Sequence, residues 1–226
     1  MSAADPEVAL AQSWEANAEA WTQAVRGGRI VSRRLATDAA ILDAIRGLAP
    51  RRVLDAGCGE GWLARALVRE GIDVVGIDAS AALVAQARAT GGARFERLAL
   101  EEVSPMLLGR FDLVACNFAL LGGDLAPALT AMAGVLSPEG RLLVQTVHPW
   151  SACGGLPYRD GWREEDFVGF GGGFERTMPW YFRTLQGWMR VLADGGWQLQ
   201  DLREPLHPET GQPASLLLLA SRAETA

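Results

Sequence analysis

The run Val53-Leu54-Asp55-Ala56-Gly57-Cys58-Gly59-Glu60-Gly61 decides the fold of this 226-residue chain. Two apolar residues and a carboxylate close a short strand, and three alternate glycines then let the backbone turn sharply into a helix beginning near Trp62. A ligand held at the carboxyl end of a parallel sheet needs this construction, because glycine supplies positive φ angles and exposes main-chain N–H groups at a helix N-terminus. The spacing restricts the ligand. A dinucleotide fingerprint requires glycine at the first, third and sixth positions, and the sixth residue counted from Gly57 is Trp62. Asp55 points the same way: a carboxylate just before the loop repels a diphosphate, but it receives a cationic ligand or fixes the loop by accepting backbone N–H bonds.

Outward from that run, short apolar stretches alternate with helical ones. Arg52 to Asp55, Val74 to Ile77, Ala93 to Arg97, Leu113 to Cys116 and Arg141 to Thr146 read as strands, while Trp62 to Arg69, Ala81 to Ala89 and Leu125 to Leu136 carry helical spacing. Gly71 stands where a helix C-terminal cap is expected. Strand then helix, repeated, predicts an α/β architecture: a parallel sheet covered on both faces, with right-handed crossovers. Upstream, Val8 to Gln23 reads as one helix with Trp14 and Trp21 on a shared face, and Ser32 to Ile45 as a second, so that residues 1–47 form a helical cover. The rhythm breaks over 148–183, which is rich in Gly, Pro and aromatic residues from Trp150 to Phe182. A helix from Thr184 to Ala193 and strands at Gln198 to Arg203 and Ser215 to Ala220 complete the chain. The expectation is a single domain over 1–226 with 148–183 as an inserted lid segment.

Composition narrows the function. The formal charge of -6 repels phosphate backbones, and the strongest basic run is only Arg29 to Arg34, which argues against a nucleic-acid partner. Cys58, Cys116 and Cys153 cannot all pair and lack the CxxC spacing of a zinc site, so they read as reduced thiols of a cytoplasmic protein with no metal. No stretch has a signal peptide's apolar core or the roughly 18 consecutive apolar residues of a membrane helix, so neither export nor membrane insertion is expected. Monomer and homodimer both stay open.

Asp78 closes the second strand 21 residues after Gly57, where an acid can accept both hydroxyls of a ribose packed against the loop. The plainer readings are that Asp78 caps the helix beginning near Ser80 and that the glycines form an ordinary turn.

The phrases VLDAGCGEGWLARAL, VVGIDAS, FDLVACNFALL and LSPEGRLLVQTVHPW, in this order and spacing over about residues 50–150, resemble the class I S-adenosylmethionine-dependent methyltransferases. The resemblance implies a Rossmann-like seven-stranded sheet of order 3-2-1-4-5-7-6 with the last pair antiparallel. It implies that Asp55 to Gly61, with Ala56, Cys58 and Gly59 among them, cradle the methionine part of the cofactor. Asp78 would hold the ribose, Ala79 and Leu83 would belong to the cofactor site, the adenine would rest on apolar packing and main-chain groups near Leu100, and Asn117 and Phe118 would lie beside the transferable methyl; S-adenosylhomocysteine would be the product. Where the family often has Gly-Asp-Ala after the third strand, this chain reads Leu98-Ala99-Leu100, so the acid that bonds the adenine amino group is missing if Ala99 is the aligned position.

Methyl transfer from a sulfonium is a direct displacement, so nucleophile, methyl and sulfur must be held in line in a dry site; a base is needed only where the acceptor must lose a proton. His148 follows the fifth strand. It reads either as that base, or a group that orients the acceptor, or as a residue that satisfies a main-chain group before Pro149. His207, between Pro205 and Pro208, reads as a loop residue. The aromatic stretch 150–182 reads as a cover offering stacking surfaces to a small organic acceptor, or as a hydrophobic flap that completes the core. Trp150, Tyr181 and Arg183 are the acceptor-side candidates; the last two belong to an aromatic-Arg-Thr-Leu element that resembles the region after the fifth strand in many small-molecule methyltransferases. By the same resemblance the face of Trp14 and Trp21 closes over the cofactor, and Arg33 or Arg34 reaches its carboxylate unless both are simply solvated. Cys58 reads as a small loop residue, since no partner base stands near it in sequence.

Two other functions are compatible with parts of this pattern. A nicotinamide oxidoreductase shares the sheet and the ribose acid, but Trp62 and Asp55 speak against it. A non-catalytic cofactor-binding module would need the loop but has little use for an aromatic acceptor cover.

Overall fold

A computed structural model describes residues 5–223. Its main sheet is built from β1 (Arg52–Ala56), β2 (Asp73–Asp78), β3 (Arg94–Arg97), β4 (Phe111–Asn117) and β5 (Leu136–Val147), all parallel, with β8 (Trp197–Arg203) and β9 (Ser215–Arg222) added antiparallel at one edge. The order is β3-β2-β1-β4-β5-β9-β8. This is the order expected from the sequence once the two extra strands β6 (Gly161–Glu165) and β7 (Met178–Phe182) are counted; these pair only with each other as a separate hairpin inside 148–183. The sequence conceals the hairpin, because β6 has Trp162 as its one large apolar residue, followed by Arg163, Glu164 and Glu165, while β7 is Met-Pro-Trp-Tyr-Phe without polar alternation, so neither strand shows a period of two.

Alternation along the central strands builds two cores. Val53, Leu113 and Leu143 pack with Ile41 and Ile45 of α3 (Asp38–Leu48), Leu63 and Leu67 of α4 (Trp62–Arg69), and Val84 and Ala87 of α5 (Ala81–Thr90). Leu54, Val114, Leu142 and Val144 face the other way, against Leu108 of α6 (Pro105–Leu108), Leu129 and Met132 of α7 (Ala126–Val135) and Trp188 and Leu192 of α9 (Leu185–Asp194). Strands buried on both faces in this way read as continuous apolar runs, which is why β1, β2 and β4 were visible in the sequence.

The N-terminal region departs from the expected single helix. It forms α1 (Pro6–Ala16) and α2 (Ala18–Arg26), broken at Asn17, whose backbone closes α1. The expected Ser32 to Ile45 helix begins instead with a π-helical turn over Arg33–Thr37 before α3. An extra residue in one turn of this kind swings the following side chains, and such turns recur at functional sites.

Candidate active site

The glycine loop is fixed by groups that the surrounding strands supply. The N–H groups of Gly57 and Cys58 both donate to the Ile77 carbonyl at the end of β2, at 2.9 and 2.8 Å, and the Gly61 N–H donates to the Cys58 carbonyl at 2.9 Å. Gly57 has φ +77°, and a Cβ there would stand 2.3 Å from the Ala119 Cβ; Gly61 has φ +87°, and its Cβ would meet the Phe95 ring at 2.6 Å. Glycine is therefore required at both positions by conformation and by space. Asp55 is buried at the end of β1 and its Oδ2 accepts the Ala64 N–H at 3.1 Å, tying the strand to the first turn of α4. Burial pushes its carboxyl up to about 7, against the pull of the Ala64 bond, with the Asp78 and Glu60 charges adding to the rise. Cys58 is pushed well up by burial and by the same carboxylates, so it is an inert thiol filling the loop, in keeping with its reading as a packing residue.

Asp78 does not cap α5, contrary to its plainer reading. Its Oδ1 accepts the Ser80 N–H and its Oδ2 the Gly59 N–H, both at 2.9 Å, so it joins the β2 turn to the glycine loop, while the cap of α5 is Ser80, whose Oγ accepts the Leu83 N–H at 3.1 Å. Burial raises the Asp78 carboxyl above its ordinary value, opposed by those two backbone bonds. Leu83 is buried on α5 and Leu100 is partly buried at the next strand's end, with exposed Ala79 between Asp78 and the cap. The Ala99 N–H donates to Glu102 Oε2 at 3.0 Å, and no acid stands at that position.

At the end of β4, Phe118 adopts φ +54°, strained for an aromatic residue, and its N–H donates to the Gln145 carbonyl at 2.7 Å. Asn117 lies in register with Gln145, and the Gln145 Nε2 donates to the Thr37 carbonyl at 2.9 Å. The result is a group of buried oxygens without partners, Asn117 Oδ1, Gln145 Oε1 and Thr37 Oγ1, gathered under the π-helical turn. Arg33, one turn earlier, is buried, pairs with Asp38 at 2.9 Å and stacks 4.6 Å over Trp62, the first residue after the loop; Arg34 is exposed. Gln145 and Thr37 were missed in the sequence. The available signal was a lone amide in the apolar run Leu142 to Val147.

Several contacts close this end of the sheet. Glu15 of α1 accepts the Ser80 hydroxyl at 2.7 Å, and Glu7 accepts the Gly123 N–H at 2.7 Å. Trp14 and Trp21 do meet, edge to face at 5.1 Å, despite the break between them, and the Trp21 Nε1 lies 3.7 Å from where a Gly59 Cβ would be. Asn17 is fully buried: its Oδ1 accepts the Glu175 and Arg176 N–H groups at 2.8 and 3.3 Å, and its Nδ2 donates to the Arg176 carbonyl at 2.8 Å. Phe170 packs on Trp21 at 6.1 Å. Glu60, inside the loop, is buried and takes Arg26 of α2 at 2.7 Å and Arg65 of α4 at 2.6 Å.

On the acceptor side the candidates separate. Tyr181 and Arg183 come together against the loop after β4: the Tyr181 N–H donates to the Leu121 carbonyl at 2.8 Å, and Arg183 Nη2 to the Gly122 and Gly123 carbonyls at 2.7 and 2.8 Å. Trp150 does not join them. It is 69% exposed on the short helix α8 (Pro149–Ala152), because Pro149 starts that turn and directs the indole outward. His148 Nδ1 accepts the Trp150 N–H at 3.2 Å and so carries no proton, which leaves Nε2 to donate to Glu204 Oε1 at 2.8 Å. With both nitrogens engaged, the ring holds the turn and has no lone pair for an acceptor's proton. His207 sits in its own loop, where Nδ1 accepts the Glu209 N–H at 3.3 Å. Among the described residues no group of three or more His, Cys, Asp or Glu is placed to hold a metal, and no helix is long and apolar enough to cross a membrane.

The geometry has counterparts among known proteins. Residues 53–140 match the family model described as methyltransferase domain. A ubiquinone biosynthesis O-methyltransferase of Alkalilimnicola ehrlichii is 33% identical over 114 residues, which are 48% of this chain and 46% of that protein. The chain thus spans just under half the length of the curated relatives it matches. A crystal structure of an S-adenosylmethionine-dependent methyltransferase from Mesorhizobium loti superposes with a TM-score of 0.61 at 26% identity, covering 80% of this chain and 96% of that one. The 1,6-didemethyltoxoflavin-N1-methyltransferase of Burkholderia thailandensis, solved with 1,6-didemethyltoxoflavin and S-adenosylhomocysteine, shares the fold with a TM-score of 0.68 at 19% identity over 99% of this chain and 93% of that one. These findings favour the methyltransferase reading over the nicotinamide one: residues 53–140 match the methyltransferase domain, and they lie within a seven-stranded Rossmann-like sheet.

Proposed function

We propose that the chain transfers a methyl group from S-adenosylmethionine to oxygen or nitrogen of a small organic acceptor, releasing S-adenosylhomocysteine, as a cytoplasmic enzyme without a nucleic-acid partner. One observation carries the reading: the unpartnered oxygens of Asn117, Gln145 and Thr37 lie buried at the carboxyl ends of β4 and β5 and in the π-helical turn, the same turn from which the buried Arg33 stacks on Trp62 after the glycine loop. Buried polar atoms are normally satisfied. Acceptors next to a guanidinium fit an amino-acid zwitterion, with an ammonium for the oxygens and a carboxylate for Arg33.

When bound, S-adenosylmethionine supplies a methyl group on a cationic sulfur, ready for direct displacement. In our reading Asp78 receives the ribose hydroxyls on the lone pairs that Gly59 and Ser80 leave free, and Asp55 to Gly61 keep the space beside the main chain open. Ala79, Leu83 and Leu100 bound the adenine, whose amino group finds no side-chain acid because Ala99 has none to offer. Trp14 and Trp21 of the 1–47 cover and the aromatic 148–183 segment, acting as a lid, exclude water; residues 1–4 of that cover lie outside the described residues. Tyr181 and Arg183 face the acceptor, and His148 holds the lid's first turn.

Calorimetric titration with S-adenosylhomocysteine tests the site. Asp78→Ala should weaken binding tenfold or more, and an unchanged affinity would sink the assignment. Incubation with methyl-labelled cofactor and a metabolite extract should give a product heavier by one methyl; its absence across varied extracts would leave only a binding module.

A further inference from the structure

Two arginines are buried among the described residues, Arg33 at 9% and Arg183 at 5% exposure. Arg33 has the Asp38 carboxylate at 2.9 Å. Arg183 has no carboxylate within ion-pairing distance among the described residues. Its Nη2 holds the Gly122 and Gly123 carbonyls and its guanidinium lies over the Tyr181 and Trp188 rings at 4.7 and 5.3 Å, but Nη1 is buried with no partner at all. The acids around it are turned elsewhere: Asp160 accepts the Thr184 N–H and hydroxyl, Glu7 the Gly123 N–H, and Asp124 the Ala126 N–H. Burial accordingly pushes the guanidinium below its ordinary value.

Arg163 shows what a purely structural arginine looks like here. It also lies on an aromatic ring, Phe182 at 3.4 Å, but both of its terminal nitrogens are used, on the carbonyls of Ala152, Cys153 and Pro157, and it is less buried. A buried cation without a counter-ion is costly, and carbonyls and ring faces offset only part of that cost. The loop that Arg183 grips begins at the strained Phe118, next to Asn117, whose buried Oδ1 has no hydrogen-bond partner.

We infer that Arg183 is a binding residue for a carboxylate carried by the methyl acceptor, which Nη1 receives between Tyr181 and the loop of Leu121 to Gly123; the assignment rests on the methyltransferase reading above. The missing counter-charge then arrives with the substrate, and the enzyme selects organic acids over their neutral analogues. Nη1 is covered in this closed arrangement, so entry parts Tyr181 from that loop.

The test uses 2-naphthoate and its uncharged isostere 2-naphthamide, titrated calorimetrically into the full chain with and without S-adenosylhomocysteine. Naphthoate should bind wild type at least tenfold more tightly than the amide, and Arg183→Gln should remove that preference while leaving S-adenosylhomocysteine affinity within about twofold. Equal binding of the two probes, binding of neither, or a preference that survives in Arg183→Gln would each overturn the proposal. If Arg183→Gln fails to fold, the wild-type comparison still decides it, and Arg183→Lys, which keeps the charge, should retain part of the preference. Failure of S-adenosylhomocysteine to bind wild type would count against the cofactor reading; the probe preference without it would still report on the anion site.

Discussion

The glycine loop and the aromatic segment sit at the same end of the sheet but are held together by different means. In the loop the backbone constraints are local or come from a neighbouring strand end: Ile77, Asp78 and Asp55 fix it through backbone bonds, and the Glu60–Arg26 pair is the longer-range exception. The aromatic segment depends on distant partners. Asn17 anchors it across 158 and 159 residues, and Arg183 and Tyr181 fasten its end to the loop after β4. Short-range constraint leaves a spacing in the sequence, whereas long-range constraint leaves a single residue with nothing around it to announce its role.

That contrast can be broken most sharply at Gly57. Gly57→Ala places a Cβ on Ala119 and forces an L residue into a positive φ, so urea denaturation should show a loss of about 3 kcal/mol, with S-adenosylhomocysteine binding abolished. Asn17→Ala should cost about 1 to 3 kcal/mol, because it leaves the buried Glu175 and Arg176 backbone groups unmet. Here hydrogen exchange should show lost protection around 170–178 and little change in the loop; equal loosening of both would erase the distinction.

A pH effect comes next. The Asp55 carboxyl, raised from 3.8 to about 7, binds its proton more tightly folded than unfolded, so stability of the free protein should fall as pH rises from about 4 through 7, then level. A cationic ligand favours the ionised form, so cofactor affinity should rise between pH 6 and 8. Asp55→Asn should flatten both profiles, as followed by denaturation and calorimetry across pH. The smallest expected effect is His148→Gln, which should keep activity within about fivefold, against the roughly 10² to 10⁴ loss expected for a general base. A loss of that size in single-turnover rate would restore His148 as the base.

Most of the sheet was legible because its strands are buried on both faces and its glycines are spaced for one turn. The bounds of α4 agreed with the sequence to the residue, helped by Gly61 at its start. The break at Asn17, the π-helical turn at Arg33–Thr37 and the β6–β7 hairpin were not legible. The first two follow from tertiary bonds that no local propensity records, and in the hairpin the charged run Arg163 to Glu165 and the unbroken Met178 to Phe182 both lack the alternation of a strand. At the candidate site, Asp55, Asp78 and the glycines are singled out by spacing. Gln145 and Thr37 are not, since a single polar residue in an apolar run looks like noise until its neighbours are known. Trp150 was misplaced toward the acceptor because aromatic content says nothing about which way a ring points.

Glu60 carries a consequence for the boundaries of the protein. Its buried carboxylate lies within the segment that matches the methyltransferase domain, yet one of its two arginines, Arg26, belongs to a helix outside that segment. A fragment cut to residues 53–140 would carry an acidic side chain stripped of half its neutralisation, and would also lose Arg141 to Val147, the part of β5 that pairs with β4 and with β9. The stretch that matches the methyltransferase domain should therefore not fold by itself. Truncations, fusions and domain grafts of this chain should keep residues from Pro6 onward.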